Sequence, residues 1–124
     1  MPQNVQDLTV WQRAMDLTVC VYRLTQSFPR QETYGLTSQL RRASVSVASN
    51  IAEGRGRLNT AEFRQFLGIA LGSTFEIKTQ LIVAKRLDMG SAATIDKATA
   101  LSEEVSKMLT SFIQKLSSKA RRLS

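Results

Sequence analysis

The sequence predicts an all-α protein, an antiparallel up-down four-helix bundle formed by one domain over residues 1–124. Three observations predict it. Apolar residues recur in steps of three and four along four separate segments, the spacing of one helix face. No segment alternates apolar and polar residues as a half-buried strand would. The 2 prolines and 6 glycines leave long stretches free of helix breakers. A hydrophobic fraction of 43% and a charged fraction of 22% belong to a globular chain. Its length suits a single domain that buries most of its unfolded surface without staples.

The first helix is expected over about residues 8–28, where Val10, Ala14, Leu17, Val21, Leu24 and Phe28 form the core stripe. Trp11, Met15, Thr18, Tyr22 and Thr25 widen it, and Pro29 ends it by pushing the preceding residue out of helical geometry. The second helix is expected over about 34–54, with Leu36, Leu40, Ala43, Val47 and Ile51 facing the core. Gly54 and Gly56 are expected to stop it in the left-handed conformation. Asn59-Thr60-Ala61-Glu62 reads as a capping box that opens a third helix over about 60–88. There Phe63, Leu67, Ala70, Thr74, Ile77, Leu81 and Ala84 follow an unbroken four-three spacing. Asp88-Met89-Gly90 breaks it, and Ser91 can cap a fourth helix over about 92–119. Leu101, Val105, Met108, Phe112 and Leu116 form that helix's face, with Ile95, Leu109 and Ile113 beside it. Short loops force neighbours to run antiparallel, and packing near 20° buries the four stripes.

The second helix carries many small residues, from Ala43 to Ser49, with poor intrinsic propensity at its serines and valines. Tight packing is expected to compensate. Val45, Ala48 and Ala52 lie off its main stripe, as Phe66, Ile69 and Leu71 do on the third helix. Helices that are apolar around much of their circumference are buried on two faces. The reading is a subunit interface at Val45, Ala48, Ala52, Phe66 and Ile69, set against a broad core face with a few exposed apolar residues. Ser46 and Asn50 are read as structural, joined in inter-helix hydrogen bonds.

The composition argues against an enzyme. Histidine, the commonest general base and metal ligand, is absent. A single cysteine, Cys20, excludes thiolate zinc sites and iron–sulfur clusters and reads as a small buried hydrophobe. Glu103 and Glu104 are adjacent, so they point about 100° apart on a helix and read as a solvated face. The glycines between Glu53 and Arg57 lack the preceding strand and following Gly-Lys-Ser/Thr of a phosphate loop. No cofactor or metal is expected. The lone cysteine, the lack of a signal-like N-terminus and the lack of a long uninterrupted apolar run together predict a cytoplasmic protein without a membrane partner.

The formal charge is +7, from 17 Lys and Arg against 10 Asp and Glu. The first 34 residues are neutral, and the excess gathers over residues 35–58 and again beyond residue 89. A basic surface attracts polyanions, RNA or DNA first among them. The candidate contacts are Arg41 and Arg42 on the second helix, Arg55 and Arg57 at its end, and Lys119, Arg121 and Arg122 in the tail that begins at Lys115. The competing reading is ordinary, with an ion pair to Glu53 or Glu62 and favourable basic charge at helix C-termini. Two functions follow: a homo-oligomer that binds nucleic acid nonspecifically, or a protein-interaction scaffold with incidental positive charge.

One family matches at the level of motifs. They are Asp7-Leu8 with Trp11 and Ala14; Phe28-Pro29; and Tyr34-Gly35-Leu36-Thr37-Ser38-Gln39-Leu40-Arg41-Arg42-Ala43. Ser46-Val47, Asn50-Ile51-Ala52-Glu53-Gly54, Arg57, Glu62-Phe63, Phe66-Leu67, Ile69-Ala70 and Gly72-Ser73 continue the match. This resembles the four-helix bundle proteins encoded in intervening sequences of bacterial 23S ribosomal RNA genes, over roughly residues 7–84. The resemblance implies a protomer of a ring-shaped homopentamer. It also implies kinship with the accessory variability protein of diversity-generating retroelements, a basic pentamer that binds nucleic acid and a reverse transcriptase. Most members of the family have no established biochemical function. Leu71, Thr74-Phe75 and Lys78 depart from the family pattern, which bears on surface contacts rather than on the fold.

Overall fold

The computed structural model describes residues 4–123, with side chains described through Lys119. It contains four helices, α1 (Thr9–Thr25), α2 (Leu36–Arg55), α3 (Thr60–Arg86) and α4 (Ala92–Leu123), and no strand among the described residues. Short 3-10 turns at Val5–Asp7 and Arg30–Glu32 precede α1 and α2. The helices close a ring in which α1 packs on α2, α2 on α3, α3 on α4 and α4 on α1. Cross-links fix every neighbour as antiparallel. Thr18 Oγ1 donates to the Ser44 carbonyl and Arg41 reaches Thr25, joining α1 to α2. Ser46 meets Ser73 and Gln39 meets Gln80 across α2 and α3. Ser102 donates to the Thr74 carbonyl and Lys85 to Asp96 across α3 and α4, and Arg13 holds Glu104 while the Cys20 thiol reaches the Thr94 carbonyl across α1 and α4.

The periodic stripes become the core. All six α1 stripe residues are buried, as are Leu40, Ala43, Val47 and Ile51 on α2. From Leu67 to Ala84 the α3 stripe is buried throughout, including Thr74, whose hydroxyl bonds back to the Leu71 carbonyl. On α4 the face is turned slightly from the expected one. Ile95, Ala98, Val105 and Leu109 are its buried centre, while Met108, Phe112 and Leu116 sit half-buried along its edge. Phe112 meets Phe63 of α3 edge-on at 5.2 Å between ring centroids, a geometry favoured by the ring quadrupoles.

Two expectations about helix ends are corrected. Helix α1 stops at Thr25 rather than Phe28, because the chain tightens before Pro29, with the Ser27 and Phe28 N–H groups donating three residues back to Leu24 and Thr25. Phe28, before Pro29, is still buried. Neither Gly54 nor Gly56 is left-handed. Gly56 has φ −78°, and Gly54 lies inside α2, where a Cβ would stand 2.7 Å from Phe66 Cβ and 3.3 Å from the Phe63 carbonyl oxygen. Gly54 is needed for close approach of α2 and α3, not for a turn. Among the described residues the left-handed ones are Asp88 and Gly90, in the connection from α3 to α4.

Helix α3 opens on Asn59, whose side-chain oxygen accepts from the Glu62 N–H at 2.8 Å. That is the forward half of the expected capping box. Ser91 Oγ accepts from the Thr94 N–H at 3.4 Å, a long bond at the start of α4.

Candidate nucleic-acid interface

Helix α2 lies between α1 and α3, so its arginines divide between two neighbours. Arg41 leans on α1. Its Nε donates to Thr25 Oγ1 at 2.8 Å, and its guanidinium lies 4.6 Å above the Tyr22 ring. Arg57 leans on α3, paired with Glu53 at 3.1 Å and stacked 4.7 Å above Phe66. Arg42 is exposed at the mouth of the α2–α3 groove, near Glu76, and Arg55 is half-buried in the last turn of α2. Arg41 and Arg55 are about 21 Å apart along the axis, at roughly 1.5 Å per residue. These four arginines therefore do not converge on one patch, and two of them hold helices together.

Free positive charge gathers instead on α4. Among the described residues, ion pairs form at Arg13 with Asp16 and Glu104, at Arg57 with Glu53, and at Lys85 with Asp96. Two of the three acids of α4, Asp96 and Glu104, are thus engaged by other helices, leaving Glu103. Lys107, Lys115 and Lys119 are exposed and make no ion pair among the described residues. Separated by multiples of four, they form a slowly winding row along the outside of α4. Lys97 and Arg23 add two more exposed cations between α4 and α1. Lys115 and Lys119 were named from the sequence as candidate contacts; Lys107, eight residues before Lys115, was not. Arg121 and Arg122 lie outside the residues whose side chains are described.

The electrostatics of the α1–α4 seam follow from these contacts. The Arg13 guanidinium donates to Glu104 through both Nε and Nη2 and holds its carboxyl below the usual carboxylate range. The Arg13 value is raised in turn, chiefly by the Glu104 hydrogen bond. Cys20 is buried, and burial pushes its thiol up against the opposing pull of Lys97 and Arg23. It fills space as the sequence suggested.

The apolar flank lies on the opposite side. Ile69 is 47% exposed, Phe75 54% and Ile82 55%, and Val45 and Val83 are also exposed. Ala48 does not belong to this flank. It is 7% exposed within the protomer core, because the close approach of small residues on α2 turns it inward. Ala52 and Phe66 are half-buried, the latter beneath Arg57. Ile82 and Val83 were not singled out from the sequence, and Phe75 only as a departure from the family pattern; the most apolar 18-residue stretch of α3 is only 33% buried. By length and composition alone that helix could cross a membrane. Open space stands over Gly68 and Gly72 in the same strip. Nearby, Gln80 Oε1 is buried without a hydrogen-bond partner, a cost to the isolated protomer. Ser46 makes the expected inter-helix hydrogen bond, to Ser73, whereas Asn50 donates within α2 to the Ser46 carbonyl at 2.8 Å.

No curated protein matches the chain. Its fold is similar to a crystal structure from Bacteroides thetaiotaomicron VPI-5482, a protein of unknown function from the S23 ribosomal protein family. The TM-score is 0.76 at 23% identity, and the match covers 85% of this chain and 98% of the other. At that identity the likeness establishes the shared bundle. The sequence model of the 23S rRNA-intervening sequence proteins matches residues 6–111, and the chain belongs to that family.

Proposed function

We propose that the chain is a non-catalytic, self-associating protein that binds nucleic acid without sequence specificity through the phosphate backbone. The observation that carries this reading is the exposed row Lys107, Lys115 and Lys119 on α4, free of ion pairs among the described residues. Lysine acts on phosphate as a point charge and reads no sequence. A chain of +7 without histidine suits electrostatic binding better than catalysis. The test is binding of a labelled duplex and a structured RNA across a salt series. Affinity should fall linearly on a log–log plot, with a slope of about −0.9 per phosphate neutralised on duplex. The double variant K115Q/K119Q should make that slope shallower by about 2. An unchanged slope would remove α4 as the interface, and no binding at low salt would end the nucleic-acid reading.

Self-association rests on a separate observation, the exposed apolar strip of α3. A contiguous apolar strip over glycine, beside an orphaned acceptor, fits burial against another protein surface. The family resemblance points to five copies in a ring. Phe75→Glu should reduce the mass in solution to that of a monomer while leaving the helical signal intact. An unchanged oligomeric mass would favour the scaffold alternative, in which the strip receives a different protein.

A further inference from the structure

A second kind of site lies on the α1–α4 side, where the edge of α4 falls short of closing over the start of α1. The gap is a cleft of about 500 Å³, within the range of roughly 300–1,000 Å³ common for small-molecule sites. Leu8, Met108 and Phe112 give it an apolar floor, each half-buried. Lys107 and Lys115 stand on its rim with Ser111 between them, and no acidic side chain lines it. The lining is therefore apolar within and cationic at the mouth.

The end of α1 adds donors to the same place. Leu8 supplies no side-chain cap, in contrast to Asn59 on α3. Among the described residues the N–H groups of Thr9, Val10 and Trp11 have no acceptor, the first bond of this end being Gln12 N–H to the Leu8 carbonyl. Thr9 and Val10 line the cleft, so the start of α1 borders it. The free N–H groups of a helix start favour an anion placed beside them. The register that places Arg13 on Glu104 sets this helix end opposite Lys107 and Ser111.

We propose that this cleft binds an amphipathic carboxylate, an apolar chain or ring ending in one carboxylate group. The apolar body rests on Leu8, Met108 and Phe112, and the carboxylate accepts from the first turn of α1 and from Lys107 or Lys115. Charge complementarity selects the class: the apolar floor disfavours a bare phosphate, and the paired lysines disfavour a neutral or cationic lipid.

The test titrates the full chain with decanoate, decan-1-ol and acetate, following the fluorescence of Trp11, the single tryptophan, which adjoins Val10. Decanoate should saturate at least tenfold more tightly than decan-1-ol, which has the chain without the charge, and than acetate, which has the charge without the chain. The exposed double variant K107Q/K115Q should weaken decanoate at least tenfold and leave decan-1-ol unchanged. Ser111→Phe, which fills the mouth from an exposed position, should weaken both, with thermal melts confirming that each variant is folded. Equal affinity for decanoate and decan-1-ol, or wild-type decanoate affinity in K107Q/K115Q, would overturn the assignment. So would binding that appears only together with a change in oligomeric mass, since the occupant of the cleft would then be another copy of the chain. Nucleic acid takes no part in these readouts.

Discussion

Replacing Gly54 by alanine adds one methyl group at the crossing of α2 and α3. The new Cβ would lie 2.7 Å from Phe66 Cβ, 3.0 Å from Phe63 Cδ1 and 3.3 Å from the Phe63 carbonyl oxygen. Two of these atoms are backbone or next to it, so relief requires the helices to separate rather than a side chain to swing. Overpacking of this kind costs about 1–3 kcal/mol, and three simultaneous close contacts put Gly54→Ala in the upper part of that range. Against it stands the gain from removing glycine from a helix interior, about 0.5–1 kcal/mol. The net loss should be about 1–2 kcal/mol, which for a domain of this size lowers the Tm by roughly 3–10 °C. Gly56→Ala is the control. Its nearest neighbours would be at 3.5 and 3.7 Å, and its φ of −78° suits alanine, so it should be neutral or stabilise by up to about 1 kcal/mol. Paired urea and thermal melts of the two variants check the reasoning. A Gly54→Ala protein at least as stable as the native one would show that α2 and α3 do not meet at this distance.

Arg41→Ala should cost about 1–2 kcal/mol by removing the Thr25 hydrogen bond and the Tyr22 stack. Duplex affinity should change less than about twofold, since structural anchoring rather than phosphate contact is its role; a large loss of affinity at unchanged stability would reverse that assignment. Glu104 is held below its ordinary value of 4.5 by Arg13, so its stabilising contribution is present above that value and is lost as pH falls through the lowered one. The stability gap between native protein and Glu104→Gln should therefore be fullest near neutral pH and close on acidification. A gap that widens in acid, measured by melts over a pH series, would refute the pairing.

Much of the fold was legible in the sequence because helix periodicity is a local property. The steps of three and four in each segment located four helices, and the central stripe predicted for the first is buried, although Met15 and Tyr22, expected to widen it, are exposed. Boundaries were less legible where the last turn tightens, as at Ser27 and Phe28. The candidate site was legible in kind but not in place. Net charge predicted a basic surface, but composition does not say which cations are already engaged. Arg41 and Arg57 meet aromatic rings on α1 and α3, partners on neighbouring helices, whereas Lys107 and Lys115 make no ion pair among the described residues.

The sequence by itself determined the class of the protein: one bundle of four helices, basic, without the side chains of histidine-based or thiolate-metal chemistry. Tertiary structure alone decided the roles of individual residues. It turned Ala48 inward, made Gly54 a contact between helices and left Phe75 and Ile82 outside. The reason is geometric. A helix repeats its own pattern every few residues, but which of its sides is covered depends on neighbours whose angle and distance no local pattern encodes.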